Sequence, residues 1–290
     1  MPTALSRVCR NDPWFRYGEF ADDDVSTRLR RAGYLQVFAK DTFVHHFGSV
    51  TASTIQSQVK TLPEGRFLFQ QKWGVDAWGS MDWDTAIADF LCKELSSSHH
   101  RILWIDPRFG TLPLYCQTLC KKKHQTIASY ILASDPNYQQ DASALACQAY
   151  VDSLIHGITH FCTTFDAIVF CRDLSCYPQQ VLSQVLPQLA NRLSSQGRLF
   201  CTVKNHAAYQ SLFGLCQQAF DPPYGGSNLL YHAIDLSALL DSVHKSGLHE
   251  QVFYKDNVSG TWVAAIEDAL KLQESLSSQF LCKFTKENKV

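Results

Sequence analysis

Beyond about residue 80, short apolar runs alternate with stretches of helical periodicity, and no other feature of the 290-residue chain constrains its fold as strongly. Four of the apolar runs predict buried strands, at 101–105, 126–132, 165–170 and 198–203. Helical periodicity covers 85–95, 112–121, 141–150 and 179–193. A helical crossover returns the chain to begin the next strand in the same direction. We therefore predict an α/β fold, with a Rossmann-like, mainly parallel sheet and helices on both faces.

The carboxyl end adds further elements to this pattern. The sequence predicts a helix at 235–245, closed by Ser246 and Gly247 as a carboxyl-terminal cap. Apolar segments follow at 251–254 and 280–284. We expect these two segments to complete the sheet as an antiparallel edge.

The composition of the chain changes near residue 80. The first part is rich in Arg, Asp and His. The stretch 75–84 combines Gly79 and Ser80 with three aspartates, which is typical of a junction. We therefore divide the chain into two parts, 1–80 and 81–290.

Charge and hydropathy exclude several classes of function. The formal net charge is -1, so we expect no bulk electrostatic capture of nucleic acid or of an anionic membrane. The sequence has no run of about 18 apolar residues and no signal-peptide pattern. We therefore predict no membrane span and a cytoplasmic location.

Eleven cysteines are scattered through the chain rather than grouped in a framework. Five of them lie among Leu, Phe, Val and Ala: Cys92, Cys147, Cys162, Cys171 and Cys201. This setting favours buried free thiols over disulfides. Cys116 and Cys120 have no second pair nearby and no Cys-x-x-Cys occurs, so we predict no metal site.

The densest chemical signal lies near the amino terminus. Asp22, Asp23 and Asp24 open a predicted helix whose far end is basic. Acids at the start and bases at the end of a helix complement its dipole. A carboxylate at a helix start can also take a proton from a hydroxyl nucleophile, so both a structural and a catalytic interpretation stay open.

The run DDDVSTRLRRAGY at 22–34, followed by DTFVHHFGS and FQQKWG, resembles the end of the catalytic domain of family-2 glycosyltransferases. The resemblance implies that Asp22 is the base that deprotonates the acceptor hydroxyl, and that His46 lies near the sugar-diphosphate end of the cleft. Ala21 stands where that family usually has Glu. The family's nucleotide-binding half, with its Asp-x-Asp metal motif, does not precede the run. Residues 1–80 are therefore interpreted as a small incomplete glycosyltransferase-type segment, whose partner in sugar transfer would be a separate nucleotide-sugar-binding half.

The second part resembles a class I S-adenosylmethionine-dependent methyltransferase, of the kind fused behind family-2 glycosyltransferases in surface-glycan assembly proteins. The segments that carry this resemblance are RILWIDPRFG at 101–110, FDAIVFCRD at 165–173, KNH ending at His206 and YH ending at His232. The resemblance implies S-adenosylmethionine as cofactor and a sugar or glycan hydroxyl as methyl acceptor. His206 and His232 would then lie on the acceptor side as candidate general bases.

Open α/β sheets bind ligands beyond the carboxyl ends of their strands, which places a site in the loops after Ile105, Leu132 and Phe170. The resemblance assigns the cofactor to five residues: Asp106, Arg108, Gly110, Asp135 and Asp173. Asp106, Pro107 and Arg108 occupy the stretch where two of the family's glycines would fall, and a side chain at either position would project into the space that the methionine moiety needs. Ala133 replaces the family's ribose-binding acid, and His156 and Gly157 stand where an acid near the adenine is expected.

Three functional interpretations follow. The leading one is a methyltransferase-like protein of glycan biosynthesis with a degenerate cofactor loop. The alternatives are family-2 sugar transfer from a nucleotide sugar, and a non-catalytic scaffold that retains only the fold. The catalytic interpretation requires that the loop 105–110 leaves room for an adenosyl group beside Pro107 and Arg108.

Overall fold

The computed structural model describes residues 12–34, 36–37, 39, 41–45, 60–81, 85–204, 245, 248–255 and 279–286. By their internal contacts, the residues divide into two compact units, and the main division lies between Asp82 and Trp83. None of the helices in these ranges combines the length and the apolar character that crossing a bilayer requires.

The described part of the first unit is helical. A 3-10 turn at Pro13–Phe15 precedes three α-helices: α1 (Ala21–Arg31), α2 (Thr61–Trp73) and α3 (Ala77–Met81). The first turn of α1 holds the three aspartates and its last turn holds arginines, as the charge pattern predicted. The short helix α3 forms within the predicted junction at 75–84.

Asp24 connects α1 to α2 through a buried carboxylate. It accepts hydrogen bonds from Arg28 Nε at 2.9 Å and from Trp73 Nε1 at 2.9 Å. Lys72 Nζ lies 2.6 Å from Asp24 Oδ1 and also bonds to Asp12 at 2.7 Å. The side chain of Asp24 is 0% exposed, so these cationic and neutral donors replace the water that the carboxylate has lost.

The second unit contains a single seven-stranded sheet in the described residues. Its strands are β1 (His99–Ile105), β2 (Thr126–Ala133), β3 (Gln148–Val151), β4 (Phe165–Phe170), β5 (Leu193–Lys204), β6 (Leu248–Lys255) and β7 (Gln279–Lys286). Their spatial order is β3-β2-β1-β4-β5-β7-β6. The first five strands pair in parallel, and β7 runs antiparallel to both β5 and β6.

Helices cover both faces of this sheet. The unit contains α4 (Thr85–Glu94), α5 (Thr111–Lys122), α6 (Gln139–Leu145), α7 (Leu154–Gly157) and α8 (Gln179–Arg192). One apolar core packs α4, α5 and α6 against strand residues that include Ile102 and Trp104. The other packs α7 and α8 against Leu103 and Ile105. Alternate residues of β1 thus enter opposite cores, as a strand buried on both faces requires.

The predicted Rossmann-like α/β fold is confirmed. All four predicted strands form, although β1 begins two residues early at His99 and β5 begins at Leu193. The segments 251–254 and 280–284 lie in β6 and β7, which form the predicted antiparallel edge. Of the predicted helix 235–245, only Lys245 lies within the described residues.

Two sequence predictions are wrong in this unit. The predicted helix 141–150 ends at Leu145, because Ala146 adopts extended backbone angles, φ -102° and ψ 149°, and the chain then forms β3. Small and apolar residues near this point fit both the helical and the strand period of hydrophobicity, so the pattern did not distinguish the end of α6 from the start of β3. Cys147 and Cys162 are exposed rather than buried, since each lies just outside the strand that follows it.

We predict that Asp24→Ala lowers the free energy of unfolding of the first unit by about 2–4 kcal/mol, because it leaves two cationic side chains without their shared buried carboxylate. Urea unfolding of the full chain measures this loss, and hydrogen exchange over α1 and α2 assigns it to the first unit. The matched control is the exposed Asp22→Ala, which should cost less than about 0.5 kcal/mol. An equal loss in both variants would contradict the role of Asp24.

Candidate functional site

The order of the sheet reverses beside β1, which has β2 on one side and β4 on the other. Ligands of open α/β sheets bind beyond the carboxyl ends of the strands at such a point. Ile105 is in register with Leu132 of β2 and with Phe170 of β4. The loops that follow these three strands therefore meet at one edge, which we call the carboxyl edge.

The loop after β1 has an unusual backbone. Asp106, Arg108 and Gly110 have φ angles of +50°, +53° and +79°, so every second residue is left-handed. Only glycine adopts this conformation freely, whereas other residues incur about 1–2 kcal/mol each. The chain thus keeps a backbone path that favours glycine at three positions, although it carries glycine at one. Pro107 is buried in this loop, and Arg108 is half-buried.

The carboxylate of Asp106 is the most connected group at the carboxyl edge. Only 6% of the residue is exposed. Its Oδ1 accepts from the Ser134 backbone N–H at 2.6 Å and from Ser134 Oγ at 2.8 Å. Its Oδ2 accepts from Tyr177 Oη at 2.7 Å. Asp106 therefore joins the loop after β1 to the end of β2 and to a tyrosine that follows β4.

Burial keeps the neighbours of this carboxylate protonated. Burial raises the pKa of Tyr177 well above its ordinary value, and the negative charge of Asp106 raises it further. Burial likewise raises the pKa of the Cys171 thiol, with a second contribution from Asp106. Tyr177 also packs edge-on against Phe170, with the ring centroids 5.5 Å apart. The carboxyl edge thus combines one buried anion with neutral donors.

Arg172 adds a cationic group beside this network. Its guanidinium carbon lies 5.9 Å from the centroid of the Tyr177 ring. The Nε atom is buried and has no hydrogen-bond partner among the residues that the structure describes. A buried donor without a partner is rare, and it can bind an acceptor atom supplied by a ligand.

The other predicted cofactor residues close short turns at the same edge. Asp135 follows β2 and accepts from the Asn137 N–H at 2.9 Å, which begins the 3-10 helix Pro136–Tyr138. Asp173 follows β4 and accepts from the Ser175 N–H at 3.0 Å, which begins the 3-10 helix Leu174–Cys176. Both carboxylates thus orient loops of the carboxyl edge.

Gly110 ends the loop and packs closely against α6. A Cβ atom built on Gly110 would lie 1.9 Å from Leu145 Cδ1. The residue therefore combines a left-handed φ with a close approach to Leu145 Cδ1, which would have to shift to admit a Cβ atom.

Of the predicted catalytic residues, only Asp22 lies within the described part of the chain. Asp22 lies exposed in the first turn of α1, in the first unit. Burial raises the pKa of the adjacent Asp23, and the charge of Asp22 raises it further. His206 and His232, with His46, lie outside the described residues.

Sequence reasoning missed four groups at the carboxyl edge: Ser134, Asp152, Arg172 and Tyr177. Asp152 directly follows β3 and pairs with His160 Nε2 at 2.8 Å, which lowers the pKa of the Asp152 carboxyl. Asp152 is an acid a few residues before His156 and Gly157, which stand where the family resemblance leads us to expect an acid near the adenine. The signal for it was hidden because β3 was predicted as helix.

No protein-family model matches the sequence, and no curated protein matches it. Among solved structures, a TehB-like S-adenosylmethionine-dependent methyltransferase from Corynebacterium glutamicum is similar at 16% identity, over 78% of this chain and 100% of that chain, with a TM-score of 0.47. A methyltransferase dependent on the same cofactor from Clostridium acetobutylicum is similar at 10% identity, over 82% and 98%, with a TM-score of 0.49. One from Archaeoglobus fulgidus is similar at 13% identity, over 76% and 99%, with a TM-score of 0.49.

These likenesses concern the fold alone. The sheet described above is Rossmann-like. The named structures give no support to the glycosyltransferase-type segment predicted for residues 1–80.

We predict that Gly110→Ala lowers the free energy of unfolding by about 2–4 kcal/mol, because the left-handed backbone and the contact with Leu145 both oppose a Cβ atom. The matched control is Gly33→Ala, since Gly33 has φ +84° but nothing within 4 Å of a built Cβ atom. This control should cost only the backbone strain, about 1 kcal/mol.

Urea unfolding of both variants measures the difference. The double variant Gly110→Ala with Leu145→Ala should lose at least about 1 kcal/mol less unfolding free energy than the sum of the losses in the two single variants. Equal losses at positions 110 and 33, or no coupling to position 145, would contradict the close packing.

Proposed function

We propose that the second unit binds S-adenosylmethionine at the carboxyl edge and transfers its methyl group to an acceptor. The observation that carries the proposal is the loop after β1, which keeps left-handed backbone at Asp106, Arg108 and Gly110 beside the point where the sheet order reverses. Such loops bring backbone close to nucleotide-containing cofactors at the start of the following helix, here α5.

The charged groups of the carboxyl edge support this cofactor. The methionyl part of S-adenosylmethionine carries an ammonium, a carboxylate and a cationic sulfonium. Asp106 supplies a carboxylate that accepts hydrogen bonds from the neutral donors Ser134 and Tyr177. Arg172 supplies a buried Nε donor that suits a ligand carboxylate. The residues therefore fit the charged end of the cofactor.

The nucleoside end has weaker support. Ala133 ends β2, so no acid stands at the last position of that strand. Asp135 is the nearest carboxylate along the chain, and one of its oxygens closes a turn. Asp152 follows β3 and is the further candidate for contacts at this end.

The bound cofactor would supply an electrophilic methyl group, while the protein's residues position it and exclude water. Pre-orientation of this kind is the main requirement of an in-line transfer. Asp106 would orient the cationic end, and the loop backbone would set its depth against α5. Transfer to a sugar or glycan hydroxyl remains a prediction from the sequence resemblance, because His206 and His232 lie outside the described residues. Sugar transfer through Asp22 and the cytoplasmic location likewise remain predictions.

Calorimetric titration of the full chain with S-adenosylmethionine tests the proposal, and we expect saturable binding with a Kd of about 1–100 μM, or −8 to −5 kcal/mol. Heat without saturation up to millimolar cofactor would contradict it and would favour the non-catalytic scaffold.

Asp106→Asn tests the charged contact within the same titration. We predict that it weakens binding of S-adenosylmethionine about tenfold, because it removes a negative charge from the edge at which the sulfonium cation would bind. Binding of the neutral product S-adenosylhomocysteine should change less than about threefold. The matched control is Asp89→Asn, which removes the same charge from an exposed position on α4 and should leave both affinities unchanged. Equal losses for both ligands would contradict a charge-specific role of Asp106.

A further inference from the structure

Three cysteines of α4 and α5 form a buried cluster on the sheet face opposite α8. Cys92 lies on α4 and is 3% exposed, whereas Cys116 and Cys120 lie on α5 and are 0% exposed. The Sγ atoms of Cys92 and Cys120 are 3.9 Å apart. The carboxyl edge does not use any of these thiols.

The sequence dictates this meeting through helix geometry. Cys116 and Cys120 are four residues apart, so they lie one above the other on the face of α5 that enters the apolar core. Cys92 lies near the end of α4, on the face that packs against the same core. Helix packing therefore brings a thiol of α4 between two thiols of α5.

The cluster lies close to the surface at the carboxyl ends of both helices. Lys123, an exposed residue just beyond α5, donates from Nζ to the Cys92 carbonyl oxygen at 2.7 Å. Lys93, the residue after Cys92, is also exposed. Cys92 and Cys120 therefore lie within one helical turn of the carboxyl ends of their helices, where local opening would admit a small uncharged molecule.

The surroundings of Cys92 and Cys120 favour Cys92 as the attacking thiol and Cys120 as the resolving thiol. A hydrogen bond with Cys116 lowers the pKa of Cys92 to about 7 against the effect of burial, aided by a hydrogen bond with Cys120 and by the charge of Lys123. Burial and the neighbouring Cys92 raise the pKa of Cys120 to about 12. The lowered pKa of Cys92 and the raised pKa of Cys120 favour Cys92 as the nucleophile.

We propose that Cys92 and Cys120 form a redox-sensitive pair, which hydrogen peroxide converts to a reversible disulfide between α4 and α5. The Cys92 thiolate attacks one peroxide oxygen, the O–O bond breaks, and the released hydroxide takes a proton to leave as water. The Cys120 sulfur then attacks the sulfenic sulfur of Cys92, the S–O bond breaks, and the second oxygen leaves as water with the thiol proton. The two thiols lose two electrons in total, and one peroxide is reduced to two waters.

The geometry favours this pair over a metal site. Among the residues that the structure describes, no group of three or more His, Cys, Asp or Glu side chains could hold a metal ion. The sulfur atoms at 3.9 Å must approach by about 2 Å to form a disulfide. The new bond would join the far end of α5, the helix that begins directly after Gly110, to α4.

Peptide mapping of the full chain tests the proposal without any substitution. The folded protein is treated with hydrogen peroxide, its remaining thiols are alkylated under denaturing conditions, and it is digested with trypsin. We expect a linked species that joins the peptide ending at Lys93 to the peptide beginning at Phe109, at the expense of both alkylated peptides. Dithiothreitol should remove the link. Absence of the linked species while both peptides are recovered alkylated would overturn the proposal.

Serine variants assign the pair, because the peptide that begins at Phe109 contains both Cys116 and Cys120. We expect Cys116→Ser to retain the link, and Cys92→Ser and Cys120→Ser each to lose it. Persistence of the link in Cys120→Ser, with its loss in Cys116→Ser, would overturn the assignment to Cys120. Alanine variants of the same positions, checked for folding by circular dichroism, replace any serine variant that does not fold.

Discussion

The buried carboxylate of Asp106 is the interaction on which the arrangement of the carboxyl edge depends. It holds together three segments that lie far apart in the chain, since its partners Ser134 and Tyr177 are 28 and 71 residues away. A buried anion requires such donors, because burial has removed its hydration. Tyr177 and Ser134 meet this requirement and, in turn, fix the loops after β2 and β4. The left-handed loop after β1 carries Asp106 and is therefore the third segment that these hydrogen bonds hold in place.

Most of the second unit follows from the spacing of apolar residues. A parallel strand that is buried on both faces must be apolar along its length, and the runs at β1, β2 and β4 were therefore visible. The region of β3 shows where this reasoning fails. The strand is short and follows α6 closely. It is stabilised by its pairing with β2, an interaction that the local sequence pattern does not show. Such tertiary stabilisation is absent from a window of sequence.

The candidate site was predictable in position but not in detail. Strand ends and the loop residues Asp106, Arg108 and Gly110 were visible because they follow a recognisable apolar run. The contact of Asp106 with Tyr177 was not, since it depends on chain segments that meet only in the folded sheet. The positive φ angles at Asp106 and Arg108 were likewise hidden, because side chains at these positions normally argue for ordinary backbone.

Within the part of the chain that the structure describes, the sheet is open and its outer strands are β3 and β6. An outer strand exposes unpaired amide and carbonyl groups that can recruit another chain, and proteins reduce this hazard by keeping such strands short. With only four residues, β3 offers little length for intermolecular pairing. The brevity that concealed β3 from sequence inspection therefore also protects the protein against association through that side, and lengthening this strand would favour aggregation.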